Sequence, residues 1–560
     1  MNSTKITNAA GRIPLGLPNH GAAPGGLFSL EGLGAGSESL LTAAGFPLPT
    51  AGLGGFRLRL TTAGAALDIP VLELSPAGLV ALLPSSAPPG EASIEVTNPR
   101  GAKASSAMRI VPAAPGLFSR NGRGSGPGVI SNVADSGELT LNSLVNSARP
   151  GQRVALWATG LGRIEGDEIA GELPGERSVD LEVFVGGKLA PIASKTRSGC
   201  TDGLPVVPFR ACAGVDRIDV QIPELQGCHV PVAVRAGGVI SNHVSIAVAP
   251  DGGRCSDPGG LQSSDYETLP GEGNVTFGSV ALVRAEVGSG SSGTMVDSAL
   301  ASFQRLDLAR FFSLRGLGIE TSPGACSVYA YTGEALIGQE EPVQGQFLSA
   351  GPELTLRGPQ GIRPLKSKAA AAAEGAAYEA TLGTSTIIDG NVYPGSGTPF
   401  LEPGAYELSA GGGVDVGAFS VSFNLARKAA WKRNTSPFTG LMDTVVRSKD
   451  YLVEWTGGEE GKFVVFYGSA DSGSADGGGS ASFFCLERAE KGSLTVPAYI
   501  LQSLPGGGGT EIPGFGIFGG KPGILALISG LADVRSFQAP GIHLSSLTAS
   551  HMDASTAAFQ

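Results

Sequence analysis

The stretch PGQRVALWATGLG, residues 150–162, is apolar on both of its faces until a Gly-Leu-Gly turn ends it. In a strand, Val154 and Leu156 point to one side, whereas Ala155 and Trp157 point to the other. A short run that is apolar on both sides and bounded by turn residues is typical of a strand covered on both faces. The stretch therefore predicts a doubly packed strand and raises the question of what covers the tryptophan.

The same stretch belongs to a repeat. Three segments recur in the same order: PGGLFSLEGLG (24–34) with PGQRVALWATGLG (150–162), AGLVALLP (77–84) with AGVDRIDVQIP (213–223), and IEVTNPRGAKASSAMRI (94–110) with VPVAVRAGGVISNHVSI (230–246), the last at a constant offset of 136 residues. Ordered repetition indicates a duplicated domain. Each copy consists of short strand patterns separated by turn signals, as in an immunoglobulin-like β-sandwich of about 100 residues. Residues 111–128 form the linker between the copies.

The repeat also bears on Trp157. Its counterpart in the first copy falls near Ser29 or Leu30, so the position is not reserved for an aromatic side chain. Large aromatic side chains mostly serve packing. We therefore expect Trp157 to pack in a core or at a domain edge, and not to stack on a ligand.

Composition extends this interpretation to the whole chain. Its 560 residues exceed what one hydrophobic core supports. With 86 Gly, 38 Pro and only 16% charged residues, the sequence is rich in turn formers and poor in the residues that cover helical surfaces. These features predict an all-β fold: tandem immunoglobulin-like β-sandwich domains followed by further all-β domains.

The sequence predicts five segments. They are an immunoglobulin-like sandwich at 14–112, a second sandwich at 113–250, an all-β domain at 256–425, a sandwich-like domain at 426–545 and a tail at 546–560. Whether 256–545 forms one domain or two is left open by the pattern. Exposed sheet edges also leave self-association open.

Charge and hydropathy restrict the partners. The formal net charge of −11 argues against nucleic acid, which is bound through clustered Lys and Arg. No run of eighteen apolar residues is present, so no transmembrane segment is expected. The first residues contain no apolar stretch of the kind found in signal peptides, so an exported protein would carry a leader that this sequence lacks.

The six cysteines favour disulfides. They are Cys200, Cys212, Cys228, Cys255, Cys326 and Cys485. Their number is even, no C-x-x-C pair occurs, and no close histidine pair accompanies them, so disulfides are favoured over a zinc site. Cys326 and Cys485 could pair with each other, although Cys255 is an alternative partner for either. Disulfides in turn point to an oxidising compartment.

A family resemblance accompanies these motifs. The segments APGLFSRNGRGSGPGVISN (114–132), LNS (141–143), NSARPGQRVALWATGLG (146–162), GVDRIDVQIP (214–223), PVAVRAGGVISNHVSIAV (231–248) and CSDPGGL (255–261) resemble the Solibacter-type C-terminal domain of secreted acidobacterial proteins. The segments PGGLFSLEG (24–32), PLPT (47–50) and GEASIEVTNPRGAKASSAMRIVPAAPG (90–116) resemble the IPT/TIG-like domain that often precedes it. The resemblance covers residues 14–250 and implies a secreted or envelope bacterial protein of β-sandwich modules, with no catalytic residues to assign. Residues 199–212 depart from the family pattern as an insertion, which we expect to form a disulfide loop.

The motifs of catalysis and metal binding are not recognisable. The chain contains no G-x-S-x-G motif, and its histidines are His20, His229, His243, His543 and His551. Because His229 and His243 fall in or beside repeat strands, we interpret them as tolerated surface residues. The acidic cluster EGDE (165–168) lacks the pattern of a calcium loop and is interpreted as a solvated turn. We therefore assign no catalytic, cofactor-binding or metal-binding residue and expect no cofactor.

These observations favour a non-catalytic secreted or cell-envelope protein with a structural, adhesion or surface-interaction role, whose partner would be a cell-surface protein or a polysaccharide. The alternative is an extracellular polysaccharide-binding protein in which Trp431, Trp455 or Tyr467 stacks on sugar rings. A weaker alternative is a hydrolase whose site lies within 256–545. Burial of the two tryptophans would remove most of the support for sugar stacking.

Overall fold

The computed structural model describes most of the chain. The described residues are 5–32, 34, 36–199, 213–289, 292–312, 321–332, 345–369, 375–388, 391–394, 399–425, 427–433, 443–473, 478–507, 510–512, 516–518 and 522–560. The structure is almost entirely β, with two sandwiches at 5–110 and 116–248 and a larger C-terminal unit at 274–559. The predicted all-β class with tandem sandwiches is confirmed.

The first sandwich consists of two sheets. Its strands are β1 (Lys5–Asn8), β2 (Leu27–Glu31), β3 (Leu41–Thr42), β4 (Arg57–Thr61), β5 (Ala66–Ile69), β6 (Val71–Ser75), β7 (Gly78–Leu82), β8 (Gly90–Thr97) and β9 (Lys103–Ile110). The sheets have the orders β1-β2-β7-β6-β3 and β5-β4-β8-β9. Strands β2 and β7 of the first of these sheets are buried on both faces. In β4, Leu58 and Leu60 are buried, whereas Arg57 and Arg59 are exposed, as the period of two requires. Because β1 pairs with β2 from Lys5 onward, the predicted start at residue 14 is too late.

The second sandwich repeats this topology. Its strands are β10 (Gly116–Leu117), β11 (Ile130–Val133), β12 (Leu139–Leu141), β13 (Arg153–Thr159), β14 (Gly175–Glu176), β15 (Leu181–Val185), β16 (Lys188–Leu189), β17 (Ile192–Arg197), β18 (Asp216–Gln221), β19 (Gly227–Ala236), β20 (Val239–Ile240) and β21 (Val244–Val248). In the first sandwich β2, β7 and β6 are neighbours and β8 pairs with the β4–β5 hairpin. In the second, β13, β18 and β17 are neighbours and β19 pairs with the β15–β16 hairpin. Thus the duplication inferred from the sequence is present in the strand order.

The two copies differ in register at the final hairpin. Ile94 lies opposite Ser106, whereas its counterpart Val230 lies opposite Ile246. The second copy turns at Gly237 and Gly238, both with positive φ, and forms the short strand β20 before β21. The constant sequence offset therefore aligns the strands but not their pairing.

The C-terminal unit contains the remaining strands. They are β22 (Asn274–Ser289), β23 (Ser292–Asp307), β24 (Ala325–Thr332), β25 (Gln346–Phe347), β26 (Glu353–Gly358), β27 (Gly361–Ser367), β28 (Tyr378–Ile388), β29 (Asn391–Pro394), β30 (Gly404–Ala410), β31 (Phe419–Leu425), β32 (Ala429–Lys432), β33 (Asp443–Val445), β34 (Tyr451–Gly457), β35 (Phe463–Asp471), β36 (Gly479–Arg488), β37 (Ser493–Val496), β38 (Thr510–Ile512), β39 (Gly516–Phe518), β40 (Gly523–Ser529) and β41 (Leu544–Phe559). The helical segments are short. They are the α-helices α1 (Leu308–Phe311) and α2 (Ala498–Leu501) and the 3-10 turns Asp265–Thr268 and Ala489–Lys491.

One sheet joins the predicted third and fourth domains. Its main path is β24-β36-β35-β40-β41-β22-β23-β28-β27-β26-β30-β31. One hydrophobic core lies over β22, β23, β26, β27, β28, β30 and β31. Another lies over β35, β36 and β40 beneath β32 and β34. The predicted boundary at 425/426 divides neither the sheet nor the cores, since the first core includes Leu547 and the second includes Cys326. In addition, β24 was assigned to the third domain yet pairs with β36 of the fourth.

The predicted tail at 546–560 is wrong. These residues belong to β41, which pairs with β40 on one side and with β22, in parallel, on the other. Leu547, Ala557 and Phe559 are buried. The many small Ser, Thr and Ala residues resemble a solvated tail in sequence, but they pack well between two neighbouring strands. The segment is thus a central strand that connects the two cores.

The units contact one another through side chains. Ile13 and Leu17, which lie between β1 and β2, insert into the core beneath β32 and β34. The rings of Phe184 in the second sandwich and Tyr499 in the C-terminal unit stack at 4.6 Å. These contacts make both sandwiches part of a larger packed assembly. Among the residues the structure describes, no helix is long and apolar enough to span a membrane.

Candidate functional site

The three aromatic residues proposed to stack on sugars are buried. Trp431 and Trp455 lie opposite each other on β32 and β34, with 9% and 2% of their surface exposed. The Trp455 indole Nε1 donates a hydrogen bond to the Ala489 carbonyl at 2.8 Å, and Trp431 packs edge-on against Phe466. Tyr467 is 1% exposed. All three complete hydrophobic cores, so the prediction that they stack on sugars is wrong.

Trp157 lies between the two sandwiches. Val154 and Leu156 of β13 face the core of the second sandwich, whereas Trp157 joins a separate cluster with Leu27 and Leu82 of the first sandwich. The Leu27 N–H donates to the Thr159 hydroxyl at 2.8 Å across the same contact. Both faces of the strand are apolar because one face packs in the core of the second sandwich and the other packs against the first sandwich. The expectation of domain-edge packing is confirmed.

Two disulfides are formed. Cys228 of β19 bonds to Cys255, which ties the second sandwich to the connector that follows it. Cys326 and Cys485 are directly opposite on β24 and β36, with Cα atoms 4.0 Å apart. The disulfide prediction is confirmed for these four cysteines, and Cys326 pairs with Cys485 and not with Cys255. Cys200 and Cys212 lie outside the described residues.

The histidines of the second sandwich are buried, contrary to the surface interpretation. His229 is 8% exposed, and its Nδ1 lies 3.1 Å from Asp257 Oδ2. Asp257 also accepts a hydrogen bond from the Cys228 N–H at 2.6 Å. The pairing is possible because the Cys228–Cys255 disulfide holds the connector against β19. His243 is also buried, and burial lowers its pKa to about 4.

His229 and Asp257 border a small cavity of about 40 Å³ between the second sandwich and the C-terminal unit. The buried Tyr266 hydroxyl and Thr321 Oγ1 line it, and within the described chain neither makes a hydrogen bond to protein. Burial, together with the nearby Asp257 and Asp265, raises the pKa of Tyr266. A cavity of this size accommodates water but no organic substrate. We therefore do not interpret the His229–Asp257 pair as a catalytic site.

A buried ionic group stabilises the junction of the sandwiches. Asp216, at the start of β18, lies 3.1 Å from Arg197 Nε and 3.3 Å from Arg177 Nε. Arg197 also donates to the Gly25 carbonyl of the first sandwich at 2.9 Å. Burial raises the pKa of the Asp216 carboxyl, and the two guanidinium groups oppose that rise. These groups connect the domains directly.

Glu168 belongs to the same junction. Its carboxylate accepts hydrogen bonds from the Ser85 N–H at 2.5 Å and the Ser85 hydroxyl at 2.9 Å. The EGDE cluster was interpreted as a solvated turn, but Glu168 is buried between the domains, and burial raises its pKa. That interpretation is wrong for Glu168.

A second ionic group lies on the large sheet between its two cores. Arg284 of β22 makes a bidentate pair with Asp297 of β23, with both contacts at 2.8 Å, and a third bond of 2.8 Å to Glu402. Burial opposes ionisation of Asp297, but the Arg284 bonds and the backbone N–H groups of Phe400 and Leu401 lower its pKa. The arrangement fixes the 399–402 segment to the sheet. Its donors and acceptors are already paired with one another, as in a structural ion network.

His551 adjoins this group. It lies opposite Arg284 on β41 and is 6% exposed, and neither ring nitrogen has a hydrogen-bond partner within the described residues. Burial and then the Arg284 charge lower its pKa to about 4. At neutral pH the imidazole is therefore uncharged, and it packs as an apolar ring in the sheet.

An open groove of about 470 Å³ lies at the far end of the large sheet. Arg357 of β26, Glu407 of β30 and Ser422 of β31 follow one another across three paired strands. The rings of Tyr406 and Phe423, also opposite each other, stack at 5.6 Å below the groove. The volume falls within the range of small-molecule sites, about 300–1,000 Å³.

Backbone groups hold the buried Tyr406 ring beneath the sheet. The Tyr406 hydroxyl lies 2.9 Å from the Phe400 carbonyl and 2.7 Å from that of Glu402, which fixes the ring. A Cβ atom at Gly358 would lie 2.2 Å from the Tyr406 ring. Glycine is therefore required where β26 passes over the tyrosine. Tyr406 and Phe423 are 3% and 4% exposed and belong to the core on the opposite face of the sheet from Arg357, Glu407 and Ser422.

The groove carries two arginines on separate elements. Arg357 Nε is 4.0 Å from Glu407 Oε2, and the other oxygen of Glu407 accepts a 2.6 Å hydrogen bond from the Ser420 hydroxyl. Arg535 also lines the groove, and its backbone is held by two hydrogen bonds to Leu547 of β41 at 2.7 and 2.9 Å. Both arginine side chains are accessible to solvent. The sequence offered no signal for this site, since its members come from four separate segments.

Among the residues that the structure describes, no group of three or more His, Cys, Asp or Glu side chains could hold a metal ion. The groove offers two arginine side chains, a carboxylate and hydroxyl and amide groups. Such a set suits recognition of a polar ligand.

Comparison with known proteins gives distant likenesses only. No family model and no curated protein matches the sequence. A Salmonella alpha-2-macroglobulin mutant matches at 12% identity over 95% of this chain and 28% of its own, with a TM-score of 0.14. SGBP-B of the Bacteroides ovatus mixed-linkage glucan utilization locus, in complex with a mixed-linkage heptasaccharide, matches at 10% identity over 83% of this chain and 86% of its own, with a TM-score of 0.12. Sidekick-1 immunoglobulin domains 1–5 match at 10% identity over 100% of both chains, with a TM-score of 0.11. Scores this low identify neither a shared architecture nor a shared function, so this chain is similar to these proteins only as a multidomain β protein.

Proposed function

We propose that the chain is a non-catalytic extracellular or cell-envelope protein whose β-sandwich modules serve a structural, adhesion or surface-interaction role. The observation that carries the proposal is the pair of disulfides, Cys228–Cys255 and Cys326–Cys485, at positions that stabilise the connector and the large sheet. Disulfides of this kind persist in oxidising compartments and are rare in the cytosol. We also propose membership of the Solibacter-type family for residues 14–250, on the sequence motifs alone.

The contacts between modules support a mechanical role. The two sandwiches are joined by the apolar cluster around Trp157 and by the buried Asp216–Arg177–Arg197 group. The second sandwich is joined to the C-terminal unit by Phe184 and Tyr499. A protein with these contacts holds its modules in a defined arrangement, which suits presentation of a surface to a partner.

The test is a peptide map of the protein isolated from its native host, under reducing and non-reducing conditions, with cell fractions analysed separately. We expect both disulfides in material from the envelope or the medium. Free thiols at Cys228, Cys255, Cys326 and Cys485 in cytosolic material would contradict the proposal. Intact cells treated with an amine-reactive reagent that cannot cross membranes, which labels exposed lysines such as Lys103, provide the control for location.

A further inference from the structure

We propose that the cavity between the second sandwich and the C-terminal unit is a water-binding site, in which bound water links the Tyr266 hydroxyl to the Thr321 hydroxyl. The proposal does not depend on the surface role proposed above, because it concerns how two parts of the chain are joined. It gives the cavity a ligand and gives the two hydroxyls their hydrogen bonds.

The two hydroxyls are buried without a protein partner. Tyr266 is 1% exposed and Thr321 is 5% exposed. Both side chains line the cavity, and neither hydroxyl forms a hydrogen bond to any residue that the structure describes. Burial raises the pKa of Tyr266, so its hydroxyl keeps its proton at neutral pH and requires an acceptor. Because an unpaired buried hydroxyl is costly and rare in folded proteins, the partner of each is expected inside the cavity.

The size and the polarity of the cavity fit water. Its volume is about 40 Å³, whereas a bound water needs about 10–15 Å³ and about two to four polar partners. Four of the side chains that line it are polar, namely His229, Asp257, Tyr266 and Thr321. Apolar cavities stay dry, but a cavity with several polar groups and enough room holds water.

Other occupants fit the cavity less well. An organic molecule exceeds its volume, and Asp257 repels an anion. A metal ion needs free ligand atoms, but the Asp257 carboxylate already accepts a hydrogen bond from the Cys228 N–H at 2.6 Å, and its other oxygen lies 3.1 Å from His229 Nδ1. Hydroxyl groups both donate and accept hydrogen bonds, as water does, so water matches both Tyr266 and Thr321.

The position of the two hydroxyls makes the water a link between parts of the fold. Tyr266 belongs to the connector after the second sandwich, and Thr321 precedes β24 of the C-terminal unit. The connector is fixed beside that unit, since the Val534 N–H donates to the Gly259 carbonyl at 2.8 Å. A Cβ atom at Gly259 would lie 2.6 Å from the Phe463 ring, so the backbones are already in close contact there. Water therefore completes a contact that direct packing leaves open.

The direct test is a crystal structure of the full chain at a resolution that shows ordered water. We expect solvent density in the cavity within hydrogen-bond distance of the Tyr266 and Thr321 hydroxyls. A cavity without density, a direct hydrogen bond between the two hydroxyls, or density with the coordination distances of a metal ion would each overturn the proposal.

Denaturant unfolding of variants tests the same point in solution. Tyr266→Phe should raise the equilibrium constant of unfolding about threefold to tenfold, because the bound water loses a hydrogen bond. Tyr378→Phe is the matched control, since Tyr378 is fully buried and its hydroxyl bonds directly to the Ala350 N–H at 2.8 Å and the Gly351 carbonyl at 2.9 Å. It should show a loss of similar size. In a dry cavity, Tyr266→Phe would remove an unpaired hydroxyl, so an unchanged or smaller constant would overturn the proposal.

A double-variant cycle tests the link between the two hydroxyls. Thr321→Val removes the second hydroxyl with little change of shape. If both hydroxyls bind the same water, Thr321→Val should raise the unfolding constant less in the Tyr266→Phe background than in the wild type. Effects that simply multiply would show that the hydroxyls are independent and would overturn the shared water.

Discussion

Trp157 lies on a strand whose two faces pack in two different hydrophobic clusters. The sequence predicts a strand that is apolar on both faces, but it does not show that the two faces meet different domains. Its indole leaves the core of its own domain and fills the contact with Leu27 and Leu82 of the preceding domain, and Arg217 lies over the ring at 5.8 Å. The first copy has no aromatic residue at the equivalent position, because there the outer face of β2 is the surface that receives Trp157. The asymmetry between the copies thus follows from which sandwich supplies the large side chain.

We predict that Trp157→Ala lowers the free energy of unfolding by about 3–5 kcal/mol, because it removes a large buried ring and leaves a cavity between the domains. Chemical denaturation followed by Tyr and Trp fluorescence measures the effect. Trp157→Phe is the control and should cost clearly less. A loss below about 1 kcal/mol for the alanine variant would mean that the contact contributes little to stability.

From the lowered pKa of His551 we predict that the free energy of unfolding depends on pH. Its pKa in the folded protein is about 4, below the ordinary value of 6.5, so the unfolded chain binds the proton more tightly. Its contribution to stability is complete above pH 6.5 and is lost as the pH falls toward 4. The loss amounts to about 3 kcal/mol.

The measurement compares wild type with His551→Leu by denaturant unfolding between pH 4 and 8. The difference in unfolding free energy should be constant above pH 6.5 and should shift by about 3 kcal/mol in favour of the variant below it. Buried carboxyl groups titrate in both proteins and cancel in the comparison. A difference that does not change with pH would show that His551 is not the responsible group.

At the scale of strands, the alternation of apolar and polar residues in the sequence predicts which side chains are buried only where a strand has one solvated face. The alternation in β4 places Leu58 and Leu60 in the core, as a period of two requires. It was uninformative for β41, whose Ser, Thr and Ala residues lie between two neighbouring strands of the large sheet. The groove shows the same limit, because Arg357, Glu407 and Ser422 become neighbours only through strand register.

The two disulfides provide a matched comparison. Cys326–Cys485 closes a loop with a sequence separation of 159, and Cys228–Cys255 one of 27. If the loss of chain entropy dominates, replacing the longer-loop pair by serine should cost about 5 kcal/mol and the shorter about 3.5 kcal/mol. Thermal or denaturant unfolding of the two double-serine variants gives both values. A larger effect at Cys228–Cys255 would indicate that fixing Asp257 against His229 matters more than loop length.

At the scale of the whole molecule, residues 12–19 connect the first sandwich to the C-terminal unit. Ile13 and Leu17 enter a core that also contains Trp455 and Phe466, more than 400 residues later in the sequence. The Gly479 N–H donates to the Leu15 carbonyl at 2.7 Å, which continues the contact. The N-terminal domain therefore supplies part of the core of the last unit.

We predict that Leu17→Ala destabilises the C-terminal unit by about 2–5 kcal/mol, since it opens a cavity in that core. Leu15→Ala is the matched control, because Leu15 is 62% exposed and should change stability by less than about 0.5 kcal/mol. Calorimetry should show a lower transition temperature for Leu17→Ala only. Equal transitions in both variants would contradict a role of this segment in the core.

The sequence by itself determined the all-β class, the duplicated sandwich and the use of cysteines in disulfides, because composition, turn signals and repetition are local properties of the chain. It also predicted that Trp157 packs instead of stacking on a ligand. Only the tertiary structure decided what covers Trp157, that Trp431, Trp455 and Tyr467 are buried, and that β41 is central. It also placed Arg357 and Arg535 on one groove. Sheet pairing and domain contacts join residues that are hundreds of positions apart, and their energies depend on register and on the facing surface, neither of which is present in a local pattern.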